Sequence, residues 1–212
     1  MNIKNEIRSA IANYQAGKLQ EAESILKKIL NKLPNDADIL YLLGIIYAQT
    51  EKFDLAIRHI TKSLQFNTKN VEAYLALALA LYQKGLPDEA IIHYRKVINL
   101  DPNHAEAYNG LGSALRAKGE LAEAMHCFKK ALQINAKMVE AYNNWGECLF
   151  EQWNIDDAIS LYKQAIQISP TNISAYVNIG NAFNRKGNPI EAEKYYRQAV
   201  QIDSNNIVPY QS

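Results

Sequence analysis

An all-α solenoid of six helical hairpins is predicted by three columns of residues that recur every 34 positions without an insertion or deletion. The first column is Ala22, Ala56, Ala90, Ala124, Ala158 and Ala192. The second is small at every site: Ala10, Gly44, Ala78, Gly112, Gly146 and Gly180. The third is bulky and apolar: Leu26, Ile60, Tyr94, Phe128, Tyr162 and Tyr196. A small column facing a bulky one is what two closely approaching helices require.

The elements follow in order, as two amphipathic helices per period. Residues 3–36 open with a degenerate helix (Ile3, Ile7, Ala10, Ile11, Tyr14), as suits a terminal repeat, then Gly17 and a helix carrying Ala22 and Leu26, closed by Pro34. Residues 37–70 start after Asp36, an N-cap type, and place Glu51 where other repeats have glycine. Residues 71–104 follow Asn70, turn at Gly85, start a second helix at Pro87 and close with Pro102. Residues 105–138 show the spacing most fully: Ala107, Tyr108, Leu111, Gly112 and Leu115, a turn at Gly119, then Leu121, Ala124, Phe128, Ala131 and Leu132, with Ala136 in place of the closing proline. Residues 139–172 turn at Trp153 instead of glycine and close with Pro170. Residues 173–206 follow Asn172, turn at Gly187 and restart at Pro189. Asn206 then stands at an N-cap-like position, and Ile207, Val208, Pro209 and Tyr210 read as the start of a seventh repeat cut short, so 207–212 is assigned to it. The inter-helix glycines suit the left-handed residue that ends a helix. A hairpin of this size cannot bury both faces alone, so 1–212 is expected to be one domain stabilised by stacking.

Composition narrows the function. Lys and Arg total 23 against 22 Asp and Glu, a formal charge of +1, so no overall basic field draws nucleic acid, and no membrane partner is expected. The start MNIKNEIRSA lacks a signal-peptide core, and the longest apolar run, Ala73 to Tyr82, is about half a membrane span, so a cytoplasmic location is expected. Cys127 and Cys148 lack CxxC or Cys/His spacing. His59 and His93 occupy equivalent places in adjacent repeats, roughly 10 Å or more apart, too far to share a zinc ion. His104 and His126 are expected to be solvated, and Cys148 to be a small core residue. No metal and no cofactor is expected. The glycines are punctuation at repeat intervals rather than a phosphate loop, and no nucleophile and base fall together, so no catalytic residue is assigned and the chain is expected not to be an enzyme. Asp156 and Asp157 fit the first turn of a helix. Repeat 139–172 is acidic, with Glu140, Glu147, Glu151, Asp156 and Asp157 against Lys163; this reads first as a solvated surface and second as a docking site for a basic partner.

The first helices carry residues that the core columns do not use, and these change along the chain. Early repeats offer an apolar groove of Ile7, Ile11, Tyr14, Tyr41, Ile45, Leu75, Leu79 and Tyr82. Later repeats offer Asn109, Ser113, Arg116, Asn143, Asn144, Glu147, Asn178, Asn181, Asn184 and Arg185. An amide has both donor and acceptor, so a row of asparagines suits a peptide backbone irrespective of sequence. Asparagine is a mediocre helix former, which makes its recurrence on successive helices informative.

The pattern aromatic-x-x-Leu-Gly-x-x-Leu, Ala-x-x-x-aromatic, Pro resembles the tetratricopeptide repeat, and Tyr142, Trp145, Gly146, Leu149, Ala158, Tyr162 and Pro170 supply it. The resemblance implies a right-handed superhelix whose first helices line a concave groove. The segments AYNGLGSALRAKGELAEA, AYNNWGECL and AYVNIGNAFNRKGN are further similar to the superhelical domain of O-linked N-acetylglucosamine transferases and bacterial relatives, whose asparagine ladder grips extended peptides. Asn144 and Asn178 match that ladder; Gly110, Ala76 and Leu42 interrupt it. The lysines and arginines of a carboxylate clamp are replaced by residues such as Ile7, Leu75 and Glu106. The expected function is a scaffold that holds an extended peptide of a protein partner. The alternatives are the substrate-recruiting part of a larger glycosyltransferase or other modifying enzyme, and a self-assembly module. An uncapped last hairpin, with Tyr196, Ala199 and Val200 facing outward, is expected to favour homo-oligomers.

Overall fold

A computed structural model describes residues 3–206, and all regular structure among them is α-helical. The helices fall into two compact units, Met1–Pro102 and Asn103–Ser212. The first unit holds α1 (Ile3–Gln15), α2 (Leu19–Lys32), α3 (Ala37–Gln49), α4 (Phe53–Phe66), α5 (Val71–Gln83) and α6 (Pro87–Leu100). The second holds α7 (Ala105–Ala117), α8 (Leu121–Ile134), α9 (Val139–Glu151), α10 (Ile155–Ile168), α11 (Ile173–Arg185) and α12 (Pro189–Asn206). Within each unit a helix packs most extensively on its hairpin partner. The second helix of a hairpin also packs on the first helix of the next, as α4 on α5 and α10 on α11.

The two columns meet as their sizes require. A Cβ on Gly146 would lie 2.4 Å from Cε1 of Tyr162, and one on Gly44, Gly112 or Gly180 would press equally on Ile60, Phe128 or Tyr196. Tyr162, Phe128 and Tyr94 are fully buried, and each such side chain stabilises its hairpin by about 1.5–3 kcal/mol. Burial pushes the hydroxyl pKa of Tyr94 and Tyr162 well above the usual tyrosine value.

Every hairpin turn has one residue in the left-handed region, four of them glycine and two not: Glu51 at φ 58° and Trp153 at φ 64°. At the first turn, Gly17 N–H donates to Tyr14 O and Lys18 N–H to Asn13 O, the crossed pair that ends a helix. Trp153 and Asn154 make the same pair with Phe150 O and Leu149 O. The hydrogen-bond pattern thus holds even where a side chain makes the conformation costly.

First helices are capped by Asp36, which accepts from Asp38 N and Ile39 N, by Asn70 from Ala73 N and by Asn172 from Ala175 N. His104 corrects the expectation of a solvated side chain. It is half-buried at the N-cap of α7, where its Nδ1 accepts from Ala107 N at 3.4 Å. Asn206 is the last residue of α12 rather than a cap within the described residues, and the segment expected to begin a seventh repeat lies outside them. Pro87 and Pro189 open α6 and α12. The three residues expected to face outward on the last hairpin differ in exposure. Ala199 is only 4% exposed and Tyr196 is half-buried with its hydroxyl donating to Asn181 Oδ1, so Val200, at 65%, alone of the three is open.

Candidate binding groove

In the second unit, α7, α9 and α11 bring their polar residues side by side, because each sits one 34-residue step from its counterpart on the neighbouring first helix. Asn144 Nδ2 donates to Asn109 Oδ1 at 3.1 Å and to Ser113 Oγ at 3.3 Å. Arg116 pairs with Glu147 and, through Nε at 3.4 Å, with Glu151. Asn178 Nδ2 donates to the other oxygen of Glu147 at 3.3 Å. Half-burial works against the charge on Arg116, yet Glu147 and Glu151 together raise its pKa.

This lattice uses part of the amide capacity and leaves part open. Asn144 and Asn178 keep their Oδ1 acceptors, while Asn181 accepts the Tyr196 hydroxyl at 2.8 Å and keeps its NH₂. Asn184 is exposed at the end of α11. Asn143 is a correction: it is 8% exposed and lies within the repeat junction, donating to Asn172 Oδ1 at 3.1 Å. Its own Oδ1 is buried without a hydrogen bond. Position 143 shares a 34-residue column with Leu75, Asn109 and Val177; Asn109 accepts from Asn144 in the groove, whereas Asn143 turns its amide to Asn172 at the start of the next repeat.

A pocket of about 230 Å³ opens beside the lattice, lined by Glu147, Phe150, Glu151, Tyr162, Asn178 and Asn181. At its rim the Arg185 guanidinium lies 3.9 Å from the Phe150 ring centre and 4.6 Å from that of Trp153, with one N–H donating to Phe150 O. Trp153 is 70% exposed. Neither aromatic is singled out in the sequence as a site residue; the available signal is that Trp153 occupies a glycine position. Cys148, on the same helix, is wholly buried and its thiol is pushed up to about 12 by burial, so it is not a ready nucleophile.

In the first unit a second pocket of about 250 Å³ is lined by Ile45, Ala48, Gln49, Ala76, Leu79 and Gln83. Leu79 is 47% exposed and Ile11 is also open, whereas Ile7, Tyr14, Tyr41, Leu75 and Tyr82 are half-buried and do not line this pocket. Tyr14 accepts from Gln49 Nε2 at 2.9 Å, and burial raises the Tyr41 pKa. His59 lies tilted against Tyr47, at 53° between the rings, and His93 stacks on Tyr74. Among the described residues no group of three or more His, Cys, Asp or Glu could hold a metal ion, and no helix is long and apolar enough to cross a membrane.

Antiparallel helix pairs of near-constant length, recurring every 34 residues and joined by a left-handed residue, define a helical-repeat protein. The chain belongs to the tetratricopeptide repeat family, whose models match residues 70–137, 137–205 and 13–59. The structure is similar to that of MamA, with 34% identity, a TM-score of 0.68 and coverage of 77% of this chain and 96% of the other. It also resembles PilF of Pseudomonas aeruginosa (19% identity, TM-score 0.78, 94% and 91% covered). A third neighbour is YrrB, described as a tetratricopeptide protein with an unusual peptide-binding site (19% identity, TM-score 0.63, 86% and 94% covered). No curated protein matches the chain significantly.

Proposed function

We propose that this chain is a non-catalytic cytoplasmic scaffold that holds an extended segment of a partner protein against α7, α9 and α11. The observation that carries the reading is the set of open amide groups on successive first helices, Oδ1 of Asn144 and Asn178 and the NH₂ of Asn181, beside a pocket. An extended peptide presents backbone N–H and C=O groups at a regular spacing, and acceptors and donors of this kind pair with both. Similarity to a family whose member YrrB is described as having a peptide-binding site supports it.

The test is selection of unstructured peptides from a display library, followed by fluorescence-anisotropy titration against wild type and the variant Asn144→Ala/Asn178→Ala/Asn181→Ala. Each hydrogen bond contributes about 0.5–1.5 kcal/mol net, so the triple variant is expected to bind roughly ten- to a thousand-fold more weakly. Shortening the peptide costs more than scrambling it, and Tyr41→Ala or Tyr82→Ala leaves binding unchanged. Unaltered affinity in a triple variant that keeps its helical circular dichroism moves the site to the apolar pocket of Ile45 and Leu79.

A further inference from the structure

Resting on that reading, we infer that the pocket between α9 and α11 selects a basic side chain, lysine or arginine, of the bound peptide. The charged residues lining it are both acidic, Glu147 and Glu151, and no cation lines it. Arg116 bridges the two carboxylates from α7, so one guanidinium faces two carboxylates. Arg185 is held instead on the faces of Phe150 and Trp153 and on a backbone carbonyl. The open hydrogen-bonding capacity is also mainly accepting: the carboxylates and Asn178 Oδ1, against the NH₂ of Asn181 and the Tyr162 hydroxyl, which can donate or accept. Guanidinium and ammonium groups carry donors only, which matches an acceptor-rich, anionic pocket, and their aliphatic stems suit the ring of Phe150. Arg116 therefore acts as an internal competitor, partly occupying the carboxylates that a ligand cation would engage.

The experiment uses fluorescein-labelled nonapeptides in an alternating Ser/Ala host with a central arginine, its neutral isostere citrulline, or glutamate, titrated at physiological salt against the full chain. The arginine peptide is expected to bind at least about ten-fold tighter than the citrulline peptide, a difference of about 1.4 kcal/mol. Glu151→Gln removes most of that preference, read as the ratio of arginine- to citrulline-peptide affinity, and Glu140→Gln, an exposed acid of the same repeat outside the pocket, does not. Arg116→Gln raises the ratio of arginine- to citrulline-peptide affinity, a gain that a merely structural role for Arg116 would not produce. Equal binding of arginine and citrulline peptides, or equal losses in Glu140→Gln and Glu151→Gln, overturns the selective pocket and leaves the peptide-holding scaffold standing. If no peptide binds at all, the scaffold reading falls and the pocket's role falls with it.

Discussion

Adding one methyl group at Gly146 tests the idea that the repeat is held by a close helix–helix approach. The new Cβ would sit 2.4 Å from Cε1 of Tyr162 and 2.9 Å from Cδ1 and Cζ, where ordinary contact needs 3.4 Å or more. The ring cannot move away easily. It is 1% exposed and packed in a cluster with Ile155, Ala158, Ile159, Ala165, Ile179 and Ala182. Overpacking of this kind costs about 1–3 kcal/mol, and a contact a full ångström too short belongs at the upper end. Replacing glycine by alanine in a helix interior returns about 1 kcal/mol, so Gly146→Ala is expected to destabilise by about 2 kcal/mol. With a urea dependence of about 1–3 kcal/mol/M, the denaturation midpoint followed by far-UV circular dichroism falls by roughly 1 M. Ala78 stands opposite the buried Tyr94 in the third repeat, so an alanine–tyrosine pair is tolerated where the ring is placed for it, and the penalty at Gly146 measures how far the Tyr162 ring is held in its present place. Tyr162→Leu supplies the control, because Ala10 stands at the position corresponding to Gly146 in a repeat whose bulky column carries Leu26. In that background the added methyl meets less resistance and Gly146→Ala becomes neutral or stabilising. A wild-type midpoint for Gly146→Ala, or the same penalty in both backgrounds, would refute the close-approach argument.

Two further predictions concern local conformation and capping. Glu51→Gly should raise stability by about 0.5–1 kcal/mol in the same assay, since a left-handed non-glycine residue costs about 1–2 kcal/mol and glycine returns part of that as backbone entropy. Trp153→Gly gains less because it also removes a ring on which Arg185 lies, and the reverse ranking would sink this account. Asp36→Ala removes a cap that binds two backbone N–H groups and should cost about 1 kcal/mol. Asn172→Ala removes a cap and also the acceptor of the buried Asn143 amide, so about 2–3 kcal/mol is expected; equal losses on denaturant titration would show that the Asn143 contact contributes nothing.

By itself the sequence determined the helical hairpins, because periodicity, turn residues and the two facing columns are local or strictly repeating signals. Ala124 and its equivalents, the caps Asp36, Asn70 and Asn172, and the prolines at the start of α6 and α12 are all readable from spacing alone. The left-handed turns at Glu51 and Trp153 are legible as well, but only by analogy with the repeats that use glycine. What tertiary structure decided was which groups are still open to a partner. Adjacent asparagines look alike in sequence, yet one helical step of about 100° turns Asn143 into the repeat junction and leaves Asn144 in the groove. The sharing of Glu147 between Arg116 and Asn178, and the capture of Arg185 by Phe150 and Trp153, join residues some 30 positions apart or at a helix end. Such pairings depend on side-chain reach between neighbouring helices, which a 34-residue period positions but does not specify.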